Sequence, residues 1–162
     1  LHVRSRRQRQ MCIRDSISAQ TCTINGNGSG GTDFTVTLPT VAASALPSDG
    51  ATSGRTPFSI AVSGCSTKSG TVSTWFEPGS NVDATSGLLK NTAAGGAANV
   101  QVGLLQNDGT TAVRPGITSQ VANIDGTTGD AKLDYFAQYV ATGGAAGSGA
   151  VSTSVTYSMV YN

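Results

Sequence analysis

Charged and aromatic residues are scarce in this chain of 162 residues: 12% are charged and 6% are aromatic, where a charged share of about a quarter is usual. The only histidine is His2. Without another histidine, the rest of the chain cannot form a Ser-His-Asp or Cys-His catalytic arrangement. It also lacks the histidines and cysteines that a four-ligand zinc site requires. We therefore predict that the protein is not an enzyme, has no catalytic residues, and uses no metal or cofactor.

The carboxylates do not supply a catalytic or calcium site instead. Glu77 precedes a Pro-Gly turn, and Asp108, Asp125 and Asp130 lie in turns rich in Asn and Gly. Aspartate is favoured in such turns because its side chain hydrogen-bonds to the nearby backbone. The segment 123–130 (NIDGTTGD) does not have the ligand spacing of an EF-hand loop. No apolar run is long enough for a transmembrane helix.

Residues 1–16 (LHVRSRRQRQMCIRDS) differ in composition from the rest of the chain. They contain five arginines and no apolar segment of the kind a signal peptide needs. Arg6 to Ser16 can be back-translated in one reading frame into a transposase-type sequencing adapter. We therefore interpret residues 1–16 as an adapter-derived tail without ordered structure, in preference to a basic arm for nucleic acid or lipid. On this interpretation the native domain spans residues 17–162 and is truncated at its N-terminus.

The charge of residues 17–162 is negative, although the whole chain has a formal net charge of +1. These residues include five basic and eight acidic side chains, which gives a net charge of −3. A negative domain does not attract the phosphate backbone, so we predict no nucleic-acid partner. The residues counted are Arg55, Lys68, Lys90, Arg114 and Lys132 against Asp33, Asp49, Glu77, Asp83, Asp108, Asp125, Asp130 and Asp134.

Glycine is abundant, with 21 residues, and this favours short strands and turns over helices. Apolar residues alternate with polar ones in about eight segments, and this period of two predicts strands. Frequent turn signals between them indicate an all-β sandwich formed by one domain. Turns and loops are predicted at residues 114–131 and 141–150. The strands are predicted at residues 18–24, 34–38, 58–62, 72–76, 88–90, 100–104, 133–139 and 152–162.

Two cysteines, Cys22 and Cys65, remain once Cys12 is assigned to the tail. They either form a disulfide or are two separate buried thiols. The composition, rich in Ser, Thr and Gly, suits a secreted protein and favours the disulfide, which requires an oxidising compartment.

Several segments resemble the major pilin family of type 1 fimbriae, which the chaperone–usher pathway assembles. The resemblance covers nearly all of residues 17–162 and follows the order of the family's segments. Its most specific part is the cysteine pair together with a final strand that has Tyr161 as its penultimate residue. The segments are TCTI, FTVTLPTV, PFSIAVSGC, NVQVGLLQNDGTTA, LDYFAQYVATG and SVTYSMVYN.

The resemblance implies an incomplete immunoglobulin-like β-sandwich, which lacks its last strand and is completed by a strand donated by another protein. It implies a disulfide between Cys22 and Cys65, and a groove for the chaperone or the donor strand beside the final strand. The groove residues would be Val155, Tyr157, Met159, Tyr161 and Asn162, the last presenting its carboxylate to basic residues of the chaperone.

The implied function is that of a structural subunit of the fimbrial shaft, which polymerises by donor-strand exchange and supports cell adhesion. Its partners would be a periplasmic chaperone, an outer-membrane usher and neighbouring copies of the pilin, with host glycans reached through the fibre. The protein would pass through the periplasm to a fimbrium on the bacterial surface. One feature departs from the family: the position of the signal peptide and donor segment is taken by residues 1–16.

An alternative function is carbohydrate binding, either as a minor or tip adhesin subunit of a fimbria or as an unrelated secreted β-sandwich. Trp75, Phe76 and the tyrosines could stack on sugar rings, although a single tryptophan in a short strand more often packs in or beside the core. Fimbrial adhesins resemble two-domain proteins, and this chain is long enough for one domain only.

Overall fold

The computed structural model describes residues 20–162. They form nine β-strands and one short 3-10 helix, Ala43–Ala45. The all-β prediction is confirmed. Within this part of the chain, no helix is long and apolar enough to cross a membrane. The strands are β1 (Thr23–Gly26), β2 (Thr52–Ser63), β3 (Thr71–Phe76), β4 (Leu89–Lys90), β5 (Val100–Leu105), β6 (Ala112–Val113), β7 (Thr118–Asn123), β8 (Ala131–Ala141) and β9 (Tyr157–Tyr161).

The strands form two antiparallel sheets. The larger sheet has the order β1-β2-β8-β5-β4, and β6 also pairs with β5. The smaller sheet has the order β7-β3-β9. Long strands β2 and β8 form the centre of the larger sheet, where residue 58 faces residue 135 and residue 60 faces residue 133. Alternate residues of both sheets point into one shared core, as the period of two in the sequence requires.

Tyr135 of β8 lies at the centre of this core and is fully buried. Its ring stacks on Phe58 of β2 and meets Phe76 of β3 edge-on, with 5.4 Å between ring centroids in both pairs. Ser119 of β7 lies 2.7 Å from the Tyr135 hydroxyl and donates a hydrogen bond of 2.8 Å to the carbonyl of Thr74. The hydroxyl groups of Ser119 and Tyr135 therefore have hydrogen-bond partners, and these bonds join the two sheets.

Several strand predictions are confirmed, whereas two are wrong in part or in full. Strands β2, β3, β5 and β8 contain the predicted segments, and β4 contains two of the three residues predicted at 88–90. Residues 34–38 are extended, but they are not part of any sheet. The predicted final strand, residues 152–162, has sheet pairing only over Tyr157–Tyr161. The strand expected at residues 18–24 is observed as Thr23–Gly26. Residues 18 and 19 of the predicted strand lie outside the described part of the chain. Residues 1–16, which we interpret as a tail, also lie outside it.

Two strands, β6 and β7, were not predicted. Strand β7 lies within the segment 114–131, where turns were predicted, and β6 lies immediately before that segment. The strand β7 has one large apolar residue, Val121, whose side chain points outward and is 57% exposed. No apolar alternation therefore marks this strand in the sequence, and its pairing with β3 defines it instead.

The aspartates of two turns accept local hydrogen bonds, as predicted. Asp108 accepts the backbone N–H groups of residues 110 and 111, and Asp125 accepts those of residues 127 and 128, each at 2.8 Å. The hydroxyl of Thr111 and these N–H groups lower the pKa of Asp108 to about 2, and the bonds to Thr128 and Thr127 lower the pKa of Asp125. Both carboxylates are therefore stabilised in their charged form.

We expect the thermal stability of the protein to decrease as the pH falls from about 4 to about 2. A carboxylate whose pKa is lower in the folded state stabilises the fold above its unfolded pKa, and this stabilisation is lost on protonation. Thermal unfolding followed by circular dichroism at several pH values measures the effect. The matched control is the double variant Asp108→Asn/Asp125→Asn, which keeps an acceptor oxygen but does not titrate. An equally steep decrease in the double variant would show that these turns are not responsible.

Candidate functional site

Strand β9 is paired on one side only within residues 20–162. It pairs with β3, with Met159 opposite Thr74 and Tyr157 opposite Phe76. The smaller sheet therefore ends at β9, and the free edge of β9 carries backbone N–H and C=O groups that no other described strand pairs. Such an edge is a template for another strand.

Residues 151–156 continue the direction of β9 without being part of a sheet. Loops hold this segment from one side: the carbonyl of Thr156 accepts a hydrogen bond from residue 77 and the carbonyl of Ser152 accepts one from residue 92, at 2.8 and 2.7 Å. Side chains alternate along 151–161, so that every odd-numbered residue is half-buried and every even-numbered residue is exposed. The inward residues are not fully buried, which indicates that the core is open beside them.

A second extended segment, residues 33–38, lies opposite. Phe34, Val36 and Leu38 are half-buried and pack against the core. The alternation of these residues in the sequence therefore does report an inward face, although the backbone has no sheet partner among the described residues. This is the physical reason for the incorrect strand prediction: the periodicity gives the side-chain direction, whereas a strand also needs a paired neighbour.

A groove of about 790 Å³ runs between these two segments. Its walls are residues 32–38 and 151–159, and its floor is formed by the core. Among the described residues, Asp33 is the only charged one that lines it. The floor is almost entirely apolar, and its residues are Ile24, Phe58, Phe76, Leu89, Val102, Leu104, Ala137 and Tyr139.

The structure brings together three of the five predicted groove residues. Val155, Tyr157 and Met159 line the groove. Tyr161 points to the same side of β9 and is half-buried opposite Val72, beyond the lined region. Asn162 is exposed, and its backbone exchanges two hydrogen bonds with residue 71, at 2.8 and 2.9 Å.

Sequence reasoning missed the opposite wall and the first part of the near wall. These parts contain Phe34, Val36 and Leu38, and also Val151 and Thr153. The signal for them was present as alternation in residues 34–38 and 151–155. The hydroxyl of Thr153 is buried and has no hydrogen-bond partner among the described residues.

Tyr157 joins the two walls at one end of the groove. Its hydroxyl donates a hydrogen bond of 2.6 Å to the backbone carbonyl of Thr32. Burial and the negative charge of Asp33 raise the pKa of Tyr157, so the hydroxyl stays protonated and able to donate at neutral pH.

The disulfide between Cys22 and Cys65 is formed, as predicted. It joins the residue before β1 to a buried position just after β2. In the described sheet β1 pairs only with β2, so β1 is an edge strand. The disulfide holds the start of this edge strand, and the chain then continues from β1 to the wall segment 32–38.

Two of the aromatic residues considered for sugar stacking, Phe76 and Tyr135, are buried and do not offer a surface to a sugar. Phe76 is 2% exposed and Tyr135 is fully buried, because both belong to the central core. Trp75 is half-buried on the outer side of the smaller sheet.

The family model described as "FimA: Type-1 fimbrial protein, A" matches residues 38–162. The major fimbrial subunit SMF-1 of Stenotrophomonas maltophilia (strain K279a) is 44% identical over 154 residues, covering 90% of this chain and 88% of that protein. The F17 fimbrial protein of Escherichia coli is 40% identical over 149 residues, covering 88% of this chain and 81% of that protein.

Solved structures with a similar fold include a Burkholderia pseudomallei antigen and type I fimbria protein. It has a TM-score of 0.62 and 25% identity, and the match covers 88% of this chain and 99% of that chain. The P pilus rod subunit PapA has a TM-score of 0.65 at 21% identity, with 87% of this chain and 99% of that chain covered.

Proposed function

The chain belongs to the type-1 fimbrial protein family, and from this premise we propose that its groove is the acceptor site for a β-strand donated by another protein during fimbrial assembly. The donor would be first a periplasmic chaperone and then the next subunit of the fibre, with an outer-membrane usher guiding the exchange.

The resemblance found in the residues is confirmed at the level of the family. The protein is a structural subunit of a bacterial surface fimbrium, exported through the periplasm, and its fold is the immunoglobulin-like sandwich of pilins. The family is a structural one and is not known as an enzyme family.

One observation carries the proposal. Two extended segments, 33–38 and 151–156, turn alternating side chains toward one apolar groove, and neither is paired in a sheet. A strand laid between them could hydrogen-bond to both backbones, while its inward side chains would cover the exposed part of the core.

The dimensions of the near wall suit a strand of about nine residues. Residues 151–159 supply nine positions, which at about 3.3 Å per residue span about 26 Å between the first and the last. Each Val- or Leu-sized side chain that becomes fully buried contributes about 1.5 to 3 kcal/mol. A donor strand can bury about half of its side chains in the groove, since successive residues point to opposite faces.

The lining also indicates the chemistry of the donor. Within residues 20–162 only Asp33 of the lining is charged, so inward-facing donor residues are expected to be apolar or small. The buried hydroxyl of Thr153 supports a partner that brings backbone N–H and C=O groups into the groove, because an inserted strand could provide the missing hydrogen bond.

The C-terminal end of β9 is the proposed contact for the chaperone. Tyr161 would flank the filled groove, and Asn162 would contact the chaperone beside it. The position of Asn162 supports this role, because its two backbone bonds to residue 71 hold it at the rim of the smaller sheet while its side chain stays exposed.

A peptide-binding experiment tests the proposal. Overlapping 15-residue peptides would tile the N-terminal region of the Stenotrophomonas relative, since the family's donor segment precedes the first cysteine. We expect at least one peptide to raise the melting temperature of the full chain. A ligand at 100 times its Kd adds about 2.7 kcal/mol, which corresponds to about 5 to 10 °C for a domain of this size.

The control for each active peptide is a scrambled peptide of the same composition in which the apolar residues no longer alternate. It is expected to leave the melting temperature unchanged. If no tiled peptide stabilises the chain, or if scrambled peptides do so equally, the acceptor-groove proposal is wrong.

A further inference from the structure

The end of the groove near residue 157 is closed by the protein's own side chains. The Tyr157 side chain extends from β9 to the opposite wall, where its hydroxyl binds the carbonyl of Thr32 at 2.6 Å. Its ring meets Phe34 of the opposite wall edge-on at 5.9 Å, and lies 6.4 Å from Phe76 of the floor. One residue therefore contacts both walls and the floor.

Phe34 is seated against the backbone of β1. A Cβ atom added at Gly26 would lie only 2.0 Å from the Phe34 ring, so the ring occupies the space that a side chain at position 26 would need. The ring also lies 6.0 Å from Phe58. The wall segment is thus held inward at its start, at the place where Tyr157 reaches it.

A strand inserted between the walls competes with this closed arrangement. Strands in a sheet are about 4.8 Å apart, so the two walls must stand about 9 to 10 Å apart to accept one between them. The hydrogen bond from Tyr157 links the two walls and occupies the backbone carbonyl of Thr32, a residue that lines the groove. Insertion at this end therefore requires the bond to break.

We propose that Tyr157 is a latch, which closes one end of the acceptor groove until a donor strand displaces its hydrogen bond to Thr32. This inference rests on the proposed function, because it assigns a regulatory role within the same groove. The latch covers apolar surface of the unpaired subunit and slows the uptake of strands that cannot displace it.

The test compares Tyr157→Phe with wild type in the full chain. The substitution removes only the hydroxyl. The loss of one hydrogen bond is expected to increase the rate of uptake of a stabilising donor peptide about fivefold, which is about 1 kcal/mol at 1.4 kcal/mol per tenfold change. Uptake is followed by stopped-flow measurement of a fluorescently labelled peptide.

A second measurement needs no peptide. The dye 8-anilinonaphthalene-1-sulfonate binds exposed apolar surface, and we expect its apparent affinity for Tyr157→Phe to be about fivefold higher because the open state is more populated. The matched control is Thr118→Val, which removes a hydroxyl group from an exposed residue of β7, outside the groove lining. Circular dichroism and thermal melting verify that both variants are folded.

The outcomes separate the latch from the acceptor role. If peptides bind but Tyr157→Phe takes them up no faster than Thr118→Val, the latch is wrong while the acceptor groove stands. If no peptide binds wild type, the acceptor role fails, and the dye measurement alone then decides whether Tyr157 closes the groove. Equal dye affinity in the two variants overturns the latch in either case.

Discussion

Replacement of both Cys22 and Cys65 by serine is expected to lower the free energy of unfolding by about 4 kcal/mol. The disulfide closes a loop with a sequence separation of 43 residues, and the chain-entropy model gives about this value for a loop of that length. The effect is large because folded domains are typically stable by only about 5 to 15 kcal/mol. The variant is therefore expected to be only marginally stable at physiological temperature.

Urea unfolding measures this change in a Cys12→Ser background, which removes the third cysteine of the chain. The Cys12→Ser variant is the reference, and the same protein treated with a reducing agent should match the double serine variant. A loss below about 1 kcal/mol would contradict the prediction, since it would mean that the closed loop hardly constrains the unfolded chain.

Val155→Asp is expected to weaken the binding of a stabilising donor peptide by at least about 100-fold. The side chain of Val155 points into the groove, where it is half-buried in the free protein and would be covered by a bound strand. Covering a carboxylate without a partner costs several kcal/mol, and a hundredfold loss in affinity corresponds to about 2.8 kcal/mol. Among the residues that the structure describes, the lining offers no cation to pair with it, because its only charged residue is Asp33.

The matched control is Thr156→Asp at the next position. This residue is exposed, and the hydrogen bond it accepts from residue 77 uses its backbone carbonyl. We expect the affinity of the control to stay within about threefold of wild type, since a surface charge is screened by solvent. Titration of each variant with the labelled peptide measures both values. Similar losses in the two variants would mean that the residue facing the groove is not covered by the peptide.

The open groove is a hazard for an isolated subunit. An unpaired edge beside exposed apolar core residues promotes non-specific association. On the proposed function, the same surface would give the chain a specific partner, because a strand that filled the groove would satisfy the backbone of both walls. The Tyr157 latch would limit the hazard before that partner arrives.

Much of the fold could be predicted from sequence because buried strands impose a period of two. The segments 58–62, 100–104 and 133–139 lie within β2, β5 and β8, whose inward residues form the core. Strand β7 could not be predicted in this way. Its large apolar residue Val121 points outward, and the inward position Ser119 is polar because it hydrogen-bonds to Thr74 and approaches the Tyr135 hydroxyl.

The sequence alone determined the direction of the side chains in both groove walls. The alternation in residues 34–38 and 152–161 already identified an inward apolar face, and the pair Cys22 and Cys65 indicated the disulfide. Only the tertiary structure decided that the two segments lie on opposite sides of one groove and that, within residues 20–162, neither has a sheet partner on the groove side. The physical reason is that periodicity is a local property of a segment, whereas pairing depends on which distant segment the folded core brings beside it.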